Sequence, residues 1–263
     1  MAVIGIITCQ ILELEWAYLL AKEPEIERIT ILEDRYSKPL IAALEKKGLS
    51  HVFCIPHMHS FQPEPSDKLQ ILITVLDLSL HRKKKYLRQA ISAMAQQMRV
   101  YVDVFILGYG SCGNSLSNPE DLLDVDMPVF FAIDIKGNQV DDCVGLMIGG
   151  RENYHQEQCK EAGTFFMTPG WVNHWDKILN PKCCDMNTEM AQRIFKRYKR
   201  SLLITTPVMS ENEMQQNVSQ FNQMFSCQSE VKLGTLKFFE QTWARAKNYA
   251  ERQVLLNTKK QGD

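Results

Sequence analysis

The sequence lacks any long apolar run, any excess of charge of one sign and any Cys-x-x-Cys pair. A membrane-spanning helix needs about 18 or more consecutive apolar residues, so no membrane span is predicted. The formal net charge of the 263 residues is -1, which gives no field that would attract nucleic acid or an anionic membrane surface. We therefore expect neither nucleic acid nor a membrane as a partner.

The amino terminus also lacks the basic segment of a secretory signal, because the run Val3 to Thr8 has the composition of a strand. We accordingly expect a cytoplasmic protein. Its eight cysteines would then be free thiols rather than disulfides, and most of them would be small buried residues.

What the sequence does contain is an alternation of short apolar strands with helical segments. This alternation predicts an α/β fold, with a mainly parallel, twisted, Rossmann-like sheet and helices on both of its faces. We expect residues 1–263 to form a single domain, and the alternative is a division into two lobes near 180–185.

Three segments carry more specific expectations. Residues 67–98 are predicted to be a long helical stretch with a break near Leu80. Asp141 or Asp142 is predicted to cap a helix that continues to Tyr154. The run from Gly163 to Trp171 is predicted to be a strand that ends in a Pro-Gly turn.

The most informative stretch is Gly-Tyr-Gly-Ser-Cys-Gly at positions 108–113, directly after an apolar run. Its glycines match the dinucleotide pattern Gly-x-Gly-x-x-Gly, so Gly110 and Gly113 are candidate cofactor-binding positions. A true fingerprint opens a helix, and the polar run before Pro119 is a poor helix start. The turn is therefore better interpreted as a backbone turn that places Cys112 at the edge of the sheet.

Three cysteines are candidate ligands, because Cys9 and Cys112 follow strands and Cys143 follows a strand and a turn. Parallel strands end at one edge of a sheet, and three thiolates there could hold zinc or an iron–sulfur cluster with one open iron. His57 and His59 follow the third predicted strand, and His59 is the candidate fourth ligand. The alternatives are core cysteines and a solvated histidine loop.

These residues resemble a prokaryotic family catalogued as domain of unknown function 1638. The resemblance covers most of the chain, and three motifs carry it: Tyr109-Gly-Ser-Cys-Gly-Asn114, Asp142-Cys143 and Gly163-Thr-Phe-Phe-Met-Thr-Pro-Gly-Trp171. It implies that Cys9, Cys112 and Cys143 are the family's three retained cysteines. This chain departs from the family at Asp141, where His is usual, and His59 stands roughly where another family His is expected.

The family occurs mostly in anaerobes and methanogens, often in gene neighbourhoods with corrinoid-dependent methyltransferases of the methylamine type. The resemblance therefore implies a role in one-carbon metabolism, with a corrinoid protein or a methyltransferase as partner. Three functions stay open. The first is a metal-dependent enzyme or accessory protein, and the second is an iron–sulfur protein that keeps a corrinoid reduced. The third is a non-catalytic partner of a methyltransferase, with the cysteines in its core.

Overall fold

A computed structural model of the chain describes residues 2–66, 68–112, 114–179, 193 and 195–260. Its larger sheet has six strands, which are Ala2–Cys9 (β1), Ile26–Leu32 (β2), Val52–Ile55 (β3), Leu69–Leu76 (β4), Val104–Gly108 (β5) and Val129–Phe130 (β6). Its smaller sheet has three strands, which are Thr164–Met167 (β7), Arg200–Thr205 (β8) and Gln228–Leu233 (β9).

The larger sheet is entirely parallel, and its strand order is β3-β2-β4-β1-β5-β6. Every residue of β1 is buried, which places this first strand in the middle of the core. Because parallel connections put helices over the faces of a sheet, such a strand must be apolar on both sides. The predicted α/β class, a parallel sheet flanked by helices, is confirmed.

The connections between strands are mostly helical, and the described helices are Glu13–Leu20 (α1), Lys38–Lys46 (α2), Lys84–Met98 (α3), Pro119–Leu123 (α4), Cys143–Ile148 (α5), Arg151–Lys160 (α6), Pro169–Leu179 (α7), Glu211–Phe225 (α8) and Lys237–Lys260 (α9). Helix α1 packs against both α2 and α9, and α9 lies against β1 and β5, whereas α3 contacts α4 and β1. Within the described part of the chain, no helix is both long enough and apolar enough to cross a membrane.

The smaller sheet, also parallel, lies between two hydrophobic cores. Phe166 and Leu202 belong to the core of the larger sheet, while their neighbours Met167 and Leu203 belong to a second core with α7 and α8. This alternation follows from the period of two along a strand. After β9 the chain returns to the larger sheet as α9. The two-lobe division predicted near 180–185 falls outside the described residues.

The predicted helix over 67–98 is wrong in its first part. Residues Leu69 to Leu76 form strand β4, which lies between β1 and β2, and a short 3-10 turn separates it from α3. Six of the eight residues in Leu-Gln-Ile-Leu-Ile-Thr-Val-Leu are apolar, and seven of the eight are buried. A largely apolar run of this length has no clear period that distinguishes a strand from a buried helix.

Candidate functional site

A cavity of about 440 Å³ opens at the carboxyl edge of the larger sheet, and Cys9, Cys112 and Cys143 all line it. We call it the thiol cavity. The connection from β1 runs past β4 to β2, and the connection from β4 runs past β1 to β5. Ligands of open α/β sheets bind where connections from neighbouring strands run in opposite directions. Segments of β7, α6 and α7 close the cavity from the other side.

The glycine turn brings Cys112 to the cavity by packing on the segment that carries Cys143. A Cβ atom on Gly110 would lie 2.6 Å from the Asp142 Cα, so only glycine fits there. Ser111 fixes the contact, since its N–H donates to the Val140 carbonyl at 2.7 Å and its hydroxyl donates to the Asp141 carbonyl at 2.8 Å. Cys112 itself adopts a left-handed backbone with φ of 46°.

The same geometry concerns Gly110 and Gly113, the candidate dinucleotide-binding glycines of the turn. Gly110 lines the thiol cavity, but its close approach is to backbone of the same chain at Asp142. Gly113, the other candidate cofactor-binding position, lies outside the described residues. In its described residues, the turn therefore holds the Cys112 thiol in the cavity.

Cys143 is placed by the start of α5. Asp142 caps this helix, because its Oδ1 accepts a hydrogen bond from the Gly145 N–H at 2.8 Å. The predicted cap is confirmed, and Cys143 is the first residue of the helix. The predicted continuation to Tyr154 is interrupted, because Gly149 and Gly150 both have positive φ and separate α5 from α6.

Cys9 is placed by the end of β1. There the Trp16 indole donates to the Thr8 hydroxyl at 2.8 Å, and that hydroxyl donates to the Gly108 carbonyl at 3.1 Å. This chain of hydrogen bonds ties the end of β1 to the end of β5, from which the glycine turn leaves. The thiols of Cys9 and Cys112 consequently lie on neighbouring strand ends.

Burial is the largest influence on the pKa of each of the three thiols. It raises the pKa of Cys9 to about 12, and the charges of Asp77 and Glu13 add to the shift. Burial also raises the pKa of Cys112 to about 12, and the nearby Cys9 and Asp142 contribute. Burial and Asp142 raise the pKa of Cys143 well above its ordinary value, against the effect of Trp171. Without a bound cation, all three thiols are protonated at neutral pH.

Two effects act on the Cys9 thiol in opposite directions. Its position ahead of a helix amino terminus favours a thiolate, whereas burial between strand and helix favours a neutral thiol. Burial is the larger effect, since only 8% of Cys9 is exposed and its pKa is raised.

The predicted fourth ligand does not reach the cavity. His59 is an exposed residue of a 3-10 turn that follows β3, and its ring stacks on His57 with centroids 5.2 Å apart. Strand β3 is the edge strand, three positions from β1, which corresponds to about 14 Å at the usual spacing between strands. Neither histidine lines the thiol cavity.

The thiols share a cavity without forming a complete ligand set. In the residues that the structure describes, no group of three or more His, Cys, Asp or Glu side chains is arranged to hold a metal ion. The donor chemistry suits zinc or iron, but Cys9, Cys112 and Cys143 would have to move together to bind a single ion.

Several residues of the cavity were not predicted as site residues, and they are Asp77, His81, Tyr109, Tyr154, Phe165 and Tyr198. Asp77 and His81 fell within the segment interpreted as one long helix. The position of Asp77 after a central strand is the signal that could have found it. Tyr109 lies inside the glycine turn, and its buried side chain lies beside the Cys9 thiol.

A buried hydrogen-bonded pair joins α1 to α7. His174 of α7 contacts Glu13 of α1 at 2.7 Å between Nε2 and Oε1, and both side chains are at least 97% buried. The Lys177 ammonium donates to His174 Nδ1 at 3.3 Å, which leaves Nε2 as the nitrogen that donates to Glu13. At this junction α7 lies close to the segment before α1, because a Cβ atom on Gly170 would be 1.8 Å from the Ile11 carbonyl oxygen.

The fold and the cavity define a class: a parallel α/β protein with one buried and two half-buried cysteines at the carboxyl edge of its sheet. A family model described as "Protein of unknown function (DUF1638)" matches residues 75–243. Since the match covers more than half of the chain, the protein belongs to this family. No curated protein and no solved structure matched the chain.

Proposed function

We propose that this protein binds a small cation in the thiol cavity. The observation that carries the proposal is the charge of the lining. Asp77 and Asp142 supply carboxyl groups, whereas none of the described residues that line the cavity is a lysine or an arginine. A cation would be attracted by these carboxylates, and the only basic side chain that an anion would meet in the described lining is His81.

A thiophilic metal is the first candidate cation. Cys9, Cys112 and Cys143 would hold it, since three cysteines suit zinc or an iron–sulfur cluster with an open position. When bound, the metal would supply Lewis-acid or redox chemistry. Because burial raises the pKa of each thiol, metal binding would release protons and would tighten as the pH rises.

The biological setting that we propose is anaerobic one-carbon metabolism, as a metal-dependent enzyme or an accessory protein. The family resemblance supports this setting, and it also supports a corrinoid protein or a methyltransferase as the partner. An iron–sulfur cluster would fit a role in keeping a corrinoid reduced. A protein without metal would fit a non-catalytic partner.

Metal analysis and a visible spectrum of anaerobically purified protein test these versions. Stoichiometric colourless zinc would support a Lewis-acid site, and iron with broad thiolate absorption would support a cluster. Titration of metal-free protein with Zn²⁺ or Co²⁺ should show binding that weakens at least about tenfold in Cys112→Ser.

The matched control is Cys54→Ser, because Cys54 is an exposed thiol on the edge strand β3. It should bind metal as the unaltered protein does. The cation proposal is overturned if folded protein binds neither a metal ion nor an organic cation. The metal version alone is overturned if Cys112→Ser binds Zn²⁺ as tightly as Cys54→Ser.

A further inference from the structure

Part of the thiol cavity is lined by aromatic side chains, which we call the aromatic wall. Besides the thiols, its lining includes aromatic side chains from α6, β7, α7 and the segment before β8, which are Tyr154, Phe165, Phe166, Trp171 and Tyr198. The rings are set nearly perpendicular to one another. Phe165 makes angles of 87° with both Trp171 and Tyr198, at centroid distances of 5.6 and 5.4 Å. Tyr154 meets Phe166 at 80° and 4.6 Å.

The volume of the cavity also exceeds what a metal ion requires. A space of about 440 Å³ falls in the range of sites for small organic molecules, about 300–1,000 Å³. The Tyr109 side chain, which is 97% buried, also belongs to this lining and lies beside the Cys9 thiol.

We infer that the thiol cavity binds a small organic ammonium ion, with the aromatic wall and the carboxylates of Asp77 and Asp142 as its recognition elements. Ring faces carry negative electrostatic potential and attract ammonium groups, most strongly when water is excluded. The two carboxylates supply the countercharge. The inference deepens the proposed function, because it rests on the preference of this cavity for cations and names the class of organic ligand.

A neutral ligand of the same shape is the natural comparison. Aromatic rings alone would bind an apolar molecule through burial of its surface, with or without a charge. The carboxylates and the missing lysine and arginine side chains of the described lining distinguish the two cases, since only a cation gains from them. The charge of the ligand is therefore the variable to test.

The test uses choline and its uncharged isostere 3,3-dimethylbutan-1-ol, titrated into the full chain by calorimetry. Choline should bind at least about tenfold more tightly, since one cation–π contact in a dry site contributes up to about 2 kcal/mol. Trp171→Leu should lose about tenfold in choline affinity. Tyr86→Leu is the control, because Tyr86 is an aromatic residue of α3 with 55% exposure outside the cavity, and it should bind choline normally.

Because Trp171→Leu could lose packing, Asp77→Asn and Asp142→Asn provide a second route that keeps side-chain shape and capping. Each should weaken choline and leave the affinity for dimethylbutanol unchanged. Equal affinities for choline and dimethylbutanol would overturn the inference. So would the absence of choline binding in protein that binds Zn²⁺, although the proposed cation function would then stand. If neither choline nor a metal ion binds, both proposals fail.

Discussion

At the scale of single residues, burial affects the pKa of a thiol more strongly than a position near a helix amino terminus does. Cys143 begins a helix, and Cys9 precedes one, yet burial raises the pKa of both thiols. Glu15 of α1 shows the same effect. Burial raises the pKa of its carboxyl group to about 8, and its own backbone N–H acts against that shift.

Replacement of Glu15 by glutamine should abolish one component of the pH dependence of stability. A carboxyl group whose pKa is raised in the folded state stabilises fully below its unfolded value of 4.5, and that contribution is lost as the pH rises through about 8. We expect Glu15→Gln to be more stable than the unaltered protein at pH 9, by up to about 4 kcal/mol.

Urea denaturation at pH 5 and at pH 9 measures this difference. The control is Glu45→Gln, an exposed position of α2, which should change neither value by more than about 0.5 kcal/mol. If Glu15→Gln and Glu45→Gln respond to pH alike, Glu15 is ionised in the folded protein.

At the scale of elements, local signals predicted some boundaries well. Helix α2 ends at Lys46, and Gly48 with φ of 75° follows it, as glycine commonly does after the end of a helix. The helix α7 was missed, since Pro169 begins a helix where a turn was predicted. The aromatic wall depends on the docking of α7, which long-range contacts such as Gly170 against Ile11 determine. No spacing in the sequence reports such a contact.

The docking of the glycine turn on α5 gives a prediction for Gly110→Ala. The added Cβ atom would meet backbone of Asp142 on all sides, which cannot move aside as a flexible side chain would. We expect a loss of about 2–3 kcal/mol in unfolding free energy together with weaker cation binding, because Cys112 and Cys143 are displaced from one another.

Gly137→Ala is the comparison for this change. Gly137 has φ of 83° and nothing within 4 Å of an added Cβ atom, so its substitution tests backbone strain alone. It should cost about 1 kcal/mol and leave cation binding unaltered. A binding loss of the same size in both variants would show that the contact with Asp142 is not what positions the thiols.

The junction of α1 and α7 is expected to depend on the buried pair of Glu13 and His174. His174→Leu should lower the unfolding free energy by about 1–3 kcal/mol, because the buried Glu13 carboxyl group loses its hydrogen-bond donor. Adding Glu13→Gln should restore part of that loss. A double-mutant cycle measures the coupling, for which we expect about 1–3 kcal/mol, and additive effects of the two substitutions would argue against the pair.

At the scale of the whole molecule, the two sheets share a core. Phe166, Leu202 and Ile204 of the smaller sheet pack in the core of the larger one, and α9 returns to cover β1 and β5. We therefore expect a single cooperative unfolding transition in calorimetry, with equal calorimetric and van't Hoff enthalpies. Two separated transitions would show that the smaller sheet unfolds independently.

The position of α9 has a consequence for synthesis on the ribosome. Strand β1 is synthesised well before the helix that covers it, in which Trp243, Ala246 and Ala250 are buried. Strand β4, which separates β1 from β2, is also synthesised after both of them. The nascent chain therefore carries uncovered apolar strands until α9 has been made, and exposed apolar surface of this kind favours aggregation before folding is complete.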